Sequence, residues 1–403
     1  MTPVRWIGLI AALSLAALIK APAFATGLDA AYPGSEQGPE HAKGAVVWSH
    51  GRSITSEDAA SPTPPYLTAL RDGGWDVLRF NRPRDEDTLS SSTQRLVEKV
   101  AELKEQGYRR IVLAGQSFGA FLSLMAADAS DDVDAVVATA PAAFGSFDDF
   151  YDTWRLNATR LYPLLEKIKR ARVMLFYFHD DDFDPGGRSE PSRAILSERG
   201  LGYAVIDQPA YLTGHWASGS GVFLRRFGSC IRDFSEADGL SGPLHCSPRW
   251  GQSPSAELQL PEEVLGQTAA QPSRTEASAQ GGSAMPGSVP GIAPGGVDTW
   301  YGFYPNGREV LLAVDTVKGS DISAIYAIGP SIDKKYGASW TRRRGRIDED
   351  AFVFEEKGRS TLKFEVRPDG GLSATWTAAD GKGSMSARLR RIEPSALAAL
   401  SIP

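Results

Sequence analysis

A serine, a histidine and an aspartate-rich turn are the residues of this chain whose types and order could carry chemistry. Ser117 stands in Gly115-Gln116-Ser117-Phe118-Gly119, after the apolar run Ile111–Ala114 and before the apolar stretch Phe118–Ala127. Strand, Gly-x-Ser-x-Gly and helix in that order place a serine on a sharp strand-to-helix turn. Gly115 and Gly119 keep such a turn free of Cβ clashes and let the helix pack close to the strand. The serine oxygen then projects above the sheet edge, where the helix N-terminus aims free N–H groups at the same spot. A hydroxyl placed this way can attack an acyl carbonyl once a base accepts its proton. The bland alternative is an ordinary Gly/Ser-rich turn.

Of the five histidines, His215 suits the base. It lies in Leu212-Thr213-Gly214-His215-Trp216, downstream of Ser117 and just after a strand and a short loop. A third member must be a carboxylate that fixes the imidazole tautomer and stabilises the imidazolium. The strand Val173–Phe178 leads into His179-Asp180-Asp181-Asp182-Phe183-Asp184-Pro185-Gly186-Gly187, so the carboxylate is expected in this turn. Asp182 is the first choice, a short turn beyond the strand, and Asp184 is the alternative. A solvated loop or a calcium-like cluster would also explain the acidity. A cation site needs further oxygen ligands that the sequence does not display, and no metal is expected. The developing oxyanion needs two N–H donors. The backbone of Phe118 supplies one, and that of Arg52, in Ser49-His50-Gly51-Arg52-Ser53, supplies the other. His50 is then structural.

The elements that must hold these residues alternate. Apolar strands are expected at Ala45–Trp48, Trp75–Phe80, Arg110–Ala114, Ala135–Ala138, Val173–Phe178 and Tyr203–Asp207. Helices are expected between and after them at Pro64–Asp72, Ser90–Gln106, Phe118–Ala127, Phe150–Lys169, Ser189–Arg199 and Gly219–Phe234. Continuous apolar strands fit a parallel sheet covered on both faces, and the alternation fits a doubly wound, mostly parallel α/β layer. Phe144, Phe147, Phe150, Tyr151 and Trp154 read either as an aromatic lining over the site or as ordinary core.

At 403 residues the chain can hold two domains, with 42% hydrophobic and 23% charged residues and a net charge of −6. That charge excludes a basic nucleic-acid footprint, and Arg342-Arg343-Arg344 reads as a solvated strand end. Arg5, the apolar stretch Trp6–Ile19 and Ala23-Phe24-Ala25 fit a signal peptide over residues 1–25. The stretch is short of the roughly 20 residues of a membrane span, although Lys20 leaves an uncleaved anchor open. The expectation is export to a periplasmic or extracellular space, with no stable membrane span. There Cys230 and Cys246 would pair as a disulfide, stapling the last helix of the first domain to the segment after it. That domain covers 26–250. Residues 251–297 are rich in Pro, Gly, Ser, Ala and Gln and read as a flexible linker that decouples its neighbours. From 298 to 393 the pattern has period two, with turns at Asn306-Gly307, Lys318-Gly319, Asp369-Gly370-Gly371 and Asp380-Gly381. It predicts a small antiparallel β-barrel or sandwich whose interior is lined by Trp300, Trp340 and Trp376.

His50-Gly51, Gly115-x-Ser117-x-Gly119, Asp180–Asp184 and Gly214-His215, in this order, resemble the α/β-hydrolases over roughly Ala45 to Phe234. With no large insertion before Ala171, the chain is more similar to dienelactone-hydrolase-like and small serine esterase members than to lidded lipases. The resemblance implies a serine nucleophile, an acyl-enzyme and hydrolysis of a small-molecule acyl substrate without a cofactor. Two departures stand out: the aspartate-rich acid turn, and Ser117 where dienelactone hydrolases use cysteine. Ester hydrolysis is therefore the expectation, and a serine peptidase or acyltransferase would use the same residues. The C-terminal strands, opening at Trp300-Tyr301-Gly302 and closing at Leu389-Arg390-Arg391, loosely resemble lipocalins. Ligand or surface contact through that domain, even a wholly non-catalytic binding protein, is the rival reading.

Overall fold

The computed structural model describes residues 27–52, 61–83, 86–209, 212–239, 241–246, 260, 261, 264, 298–304, 306–331, 335–356, 358–368 and 370–392. The expected signal peptide and nearly all of the expected linker lie outside the described residues.

The first unit is built on an eight-stranded sheet. Its strands are β1 (Leu28–Ala30), β2 (Ala45–Ser49), β3 (Asp76–Phe80), β4 (Ile111–Gln116), β5 (Ala135–Thr139), β6 (Arg172–Tyr177), β7 (Gly202–Asp207) and β8 (Gly242–Pro243), in the order β1-β3-β2-β4-β5-β6-β7-β8. All neighbours are parallel except β1, which pairs antiparallel with β3 at the edge. The helices are α1 (Thr68–Arg71), α2 (Leu89–Glu105), α3 (Phe118–Ala129), α4 (Tyr151–Trp154), α5 (Leu156–Thr159), α6 (Leu161–Lys167), α7 (Ser189–Glu198) and α8 (Gly221–Glu236).

Period two sorts each central strand into two cores. Val47, Leu113, Val136 and Leu175 pack with α2, α3, α6 and α7 on one face. Val46, Val112, Val137 and Phe176 pack on the other, against α1 and the stripe Phe223, Phe227, Ile231 and Phe234 of α8. Burial on both sides is why these strands are apolar throughout. Leu96, Val100 and Leu103 form the buried stripe of α2; Thr88 caps its start, bonding Ser91 N at 3.1 Å. The single helix expected over Phe150–Lys169 is instead α4, α5 and α6. Pro163 sits in the first turn of α6, where a missing N–H costs nothing, so the helix restarts there. Cys230, in α8, is bonded to Cys246 beyond β8.

The second unit comprises β9 (Asp298–Phe303), β10 (Glu309–Lys318), β11 (Asp321–Ile328), β12 (Ser339–Asp348), β13 (Ala351–Glu356), β14 (Ser360–Val366), β15 (Leu372–Ala378) and β16 (Ser384–Arg391). They form a closed antiparallel barrel in which β16 returns to pair with β9. Val310, Leu312, Val314, Phe352, Phe354, Leu362 and Phe364 fill the interior with Trp300. Residues of opposite parity on three neighbouring strands, Tyr301, Leu311, Ala313, Ile325 and Ala327, join the second core of the α/β unit. The barrel wall is thus buried on both faces at this seam. Two expectations are corrected here. The units share a core and are not decoupled. Trp340 is 42% exposed, because its partner in register is Ala327 and it therefore lies on the outer face.

Gly119 marks where α3 is pressed onto β2: a Cβ there would run into the Ser49 and His50 carbonyl oxygens. Helix propensity favours alanine over glycine by up to ~1 kcal/mol, and this contact reverses the preference. Gly119→Ala is expected to lower stability by about 3 kcal/mol in urea unfolding, since neither backbone can yield; a stabilised variant would refute the close approach.

Candidate active site

Ser117 links β4 to α3 with φ 56° and ψ −120°, outside the ordinary regions for a side-chain-bearing residue. Its N–H donates to Thr139 O at 3.0 Å, and its own carbonyl accepts from Ala120 N at 3.0 Å. The backbone is pinned on both sides, and the hydroxyl rises from the sheet edge. His215 Nε2 lies 2.7 Å from Ser117 Oγ, and His215 Nδ1 lies 2.8 Å from Asp181 Oδ1. With the tautomer that donates from Nδ1 to the carboxylate, Nε2 accepts from the serine hydroxyl. Ser117, His215 and Asp181 are all buried.

The carboxylate on the imidazole is therefore Asp181, and the expectation of Asp182 or Asp184 is corrected. Asp180 adopts φ 52°, which redirects the chain immediately after the strand and turns Asp181 inward. The neighbours are held elsewhere: Asp182 Oδ1 accepts from Arg390 Nη2 of the barrel at 2.8 Å, and Asp184 Oδ1 from Arg188 Nε at 2.7 Å. Each carboxylate has its own cation; they do not converge as a calcium-like cluster would. Phe183 N donates to Asp181 Oδ1 at 2.9 Å, and its ring stacks on the imidazole at 4.1 Å between centroids. Burial opposes the charge on Asp181, but His215, the Phe183 N–H and Arg188 together outweigh it and hold the carboxyl below its ordinary value.

The histidine loop is tied to the acid turn by Gly214 N, which donates to His179 O at 2.7 Å. Buried Asn157 fixes the facing loop: Oδ1 accepts from Ala143 N and Phe144 N, while Nδ2 donates to Gly145 O and Phe183 O. Phe118 opens α3, and the Arg52 guanidinium lies 5.5 Å from its ring centroid, so the loop after β2 flanks the serine turn. The His50 ring bonds to neither Ser117 nor His215. Its Nδ1 lies 2.6 Å from Gly51 O, with Arg82 beside it. Burial, then the Arg82 charge, pushes its pKa down to about 4. Of the aromatic group, Phe144 packs edge-on against Phe121. Phe147, Tyr151 and Trp154 cluster together, with Phe147 and Tyr151 exposed. Asp181, Phe183, Asn157 and Arg390 escape sequence reasoning: no periodicity marks them, and only the left-handed turn at Asp180 selects among the aspartates.

The sheet, the serine turn after β4 and the chain order serine, aspartate, histidine define an α/β-hydrolase fold. No family model and no curated protein matches the chain. Among solved structures it is similar to the Pyrococcus furiosus esterase Pf2001, with 16% identity over 48% of this chain and 81% of that one and a TM-score of 0.38. It is also similar to Est1E from Butyrivibrio proteoclasticus, with 16% identity over 49% and 89% and a TM-score of 0.36. A third is the Pyrococcus horikoshii acylaminoacyl peptidase, with 17% identity over 50% and 38% and a TM-score of 0.37. Likeness at this level transfers no activity.

His50 carries a pH prediction. Its folded pKa lies below the unfolded value of 6.5, so the unfolded chain binds the proton first and stability falls as pH drops from 6.5 toward 4. Between pH 7 and 5 this one group should cost the wild type about 2 kcal/mol. In paired urea titrations His50→Asn should show a shallower loss over the same interval; parallel curves would remove His50 as the cause.

Proposed function

We propose that the chain is a serine hydrolase that cleaves a small-molecule carboxylic ester through an acyl-enzyme on Ser117. The observation that carries this is the buried hydrogen-bonded line from Ser117 Oγ through His215 to Asp181, on a serine held at φ 56°. Ser117 Oγ attacks the acyl carbonyl carbon as its proton passes to His215 Nε2. The carbonyl π pair moves onto oxygen, facing the N–H groups of Phe118 and Arg52. Collapse of the tetrahedral species breaks the bond to the leaving alkoxide, which takes the proton from Nε2. Water then repeats the sequence on the acyl-serine, giving its proton to His215 and releasing the carboxylic acid and free Ser117. Asp181, held ionised, orients the ring and stabilises the imidazolium. Export accompanies this reading, on the strength of the charged and apolar pattern of residues 1–25.

Folded protein treated with a fluorophosphonate should form one adduct, on Ser117, and Ser117→Ala should form none. An unlabelled wild type would leave the non-catalytic binding reading in its place. Parallel ester, amide and acyl-transfer substrates separate hydrolase from peptidase and transferase. Within the acid turn, Asp181→Asn should lower kcat on a p-nitrophenyl ester on the order of 10³-fold or more, because the imidazole loses its tautomer control. Asp182→Asn should cost no more than about tenfold, since its carboxylate never meets the ring. The reverse ranking would restore the original choice of acid.

A further inference from the structure

We infer that the last barrel strand, β16, is a positioning element of the active site, with Arg390 holding the acid turn and the histidine loop in register. The inference rests on the serine-hydrolase reading and extends it to a residue 175 positions beyond the histidine.

Arg390 leaves the barrel and enters the gap between the two loops. Its Nη1 donates to the Asp180 carbonyl and its Nη2 to Asp182 Oδ1. One planar guanidinium thus holds the chain on both sides of Asp181, a fork that lysine's single ammonium cannot reproduce. The same side chain lies against the histidine loop: Gly214 has φ +84°, and a Cβ there would stand 2.8 Å from Arg390 Nε. Two residues earlier on the same strand, Arg388 places its guanidinium carbon 5.3 Å from the Trp216 ring centroid, and Trp216 meets the imidazole edge-on at 5.2 Å. The support continues past His215. Gly221 N donates to Gly307 O at 2.8 Å, and Val222 N donates to Glu309 Oε1 at 2.7 Å. The strand that carries Arg390 is itself fixed, pairing Arg390 with Tyr301 and ending with Ile392 N donating to Thr299 O at 2.8 Å.

The Arg390–Asp182 pair is partly solvated, with side chains 29% and 39% exposed. Such a pair adds little to overall stability. Its effect is on where Asp181 and His215 sit, and small displacements in a hydrogen-bonded catalytic line are expensive in rate. Arg390 is a positioning residue; it touches neither the reacting atoms nor the imidazole.

The test uses the full chain and four variants: Arg390→Ala, Arg390→Lys, Asp182→Asn and the Asp182→Asn/Arg390→Ala double. Arg390→Ala should lower kcat on a p-nitrophenyl ester, and the fluorophosphonate labelling rate of Ser117, by about tenfold. KM should stay within about twofold and the thermal midpoint near wild type, with Arg390→Lys recovering part of the rate. Asp182→Asn should show a similar loss, and the double variant should be no slower than the slower single, because both remove one contact. Rates within twofold of wild type for Arg390→Ala, or losses that multiply in the double variant, overturn the inference. Should Arg390→Ala fail to fold, Arg390→Gln replaces it under the same criteria. A wild type that does not label refutes the hydrolase reading instead. The downfield NMR resonance of the His215 Nδ1 proton then decides the clamp alone: lost or shifted in Arg390→Ala supports it, unchanged overturns it.

Discussion

Everything in the first unit is arranged around one unfavourable backbone conformation, that of Ser117. A residue with a side chain at φ 56° and ψ −120° stores on the order of 1–3 kcal/mol of strain. The surroundings hold it there. Thr139 O takes its N–H, the first turn of α3 takes its carbonyl, and Ala142 N adds a further bond to that carbonyl at 3.3 Å. The turn can be this sharp only because α3 lies against both flanking strands. An added Cβ on Gly115 would meet the backbone of Gly119 and Ala120, and one on Gly119 the backbone of β2. The strain and the two glycines are therefore one feature, which lifts the hydroxyl clear of the sheet and brings the histidine within hydrogen-bond distance.

The histidine comes from the opposite side of the sheet, and here the barrel enters the same structure. Tyr301, Leu311, Ala313, Ile325 and Ala327 are buried in the core that also contains Phe223 and Phe227 of α8. Burying apolar side chains of this kind contributes roughly 1.5–3 kcal/mol apiece for the larger ones, so the seam is a substantial part of the fold's stability. Glu309 sharpens it: a carboxylate from β10, buried at the start of α8, accepts from Val222 N and from Arg225 Nη2 at 2.9 Å. An anion at a helix N-terminus is stabilised by the unpaired N–H groups and the helix dipole. The helix that follows the histidine loop is thus capped from the other unit as well as by its own Ser220, whose hydroxyl accepts from Phe223 N at 3.1 Å.

Regular periodicity made most of this architecture legible. Continuous apolar strands announced the parallel sheet, and alternation with turn signals announced the antiparallel one. The same logic misled at the seam. Leu311 and Ala313 interrupt the alternation of β10, and an apolar run inside a barrel strand is the trace of a second buried face. Read that way it points to a partner surface, whereas the long polar segment between the units argued for separation. Trp340 failed for a related reason. Its size favoured the interior, but strand register, set by pairing with β11, placed it outside. Ser117 and His215 were legible because their surroundings have a sequence pattern: strand, glycine, serine, helix in one case, strand and glycine in the other.

The acid had no such pattern, and the reason is electrostatic as much as geometric. Four aspartates in five positions would repel one another around a single imidazole if all faced it. The fold distributes them instead. Asp180 pairs with His179 at 2.9 Å, Asp182 with Arg390, and Asp184 with Arg188, whose side chain is fully buried. Arg390 lies 208 positions from Asp182, on a barrel strand, so a local reading cannot assign that pair. Only after the others are matched does Asp181 remain for His215. Burial would suppress its charge, and the imidazole, a backbone N–H and Arg188 jointly retain it. A crowded acid turn thus supplies one carboxylate to the ring because the arginines around it engage the rest.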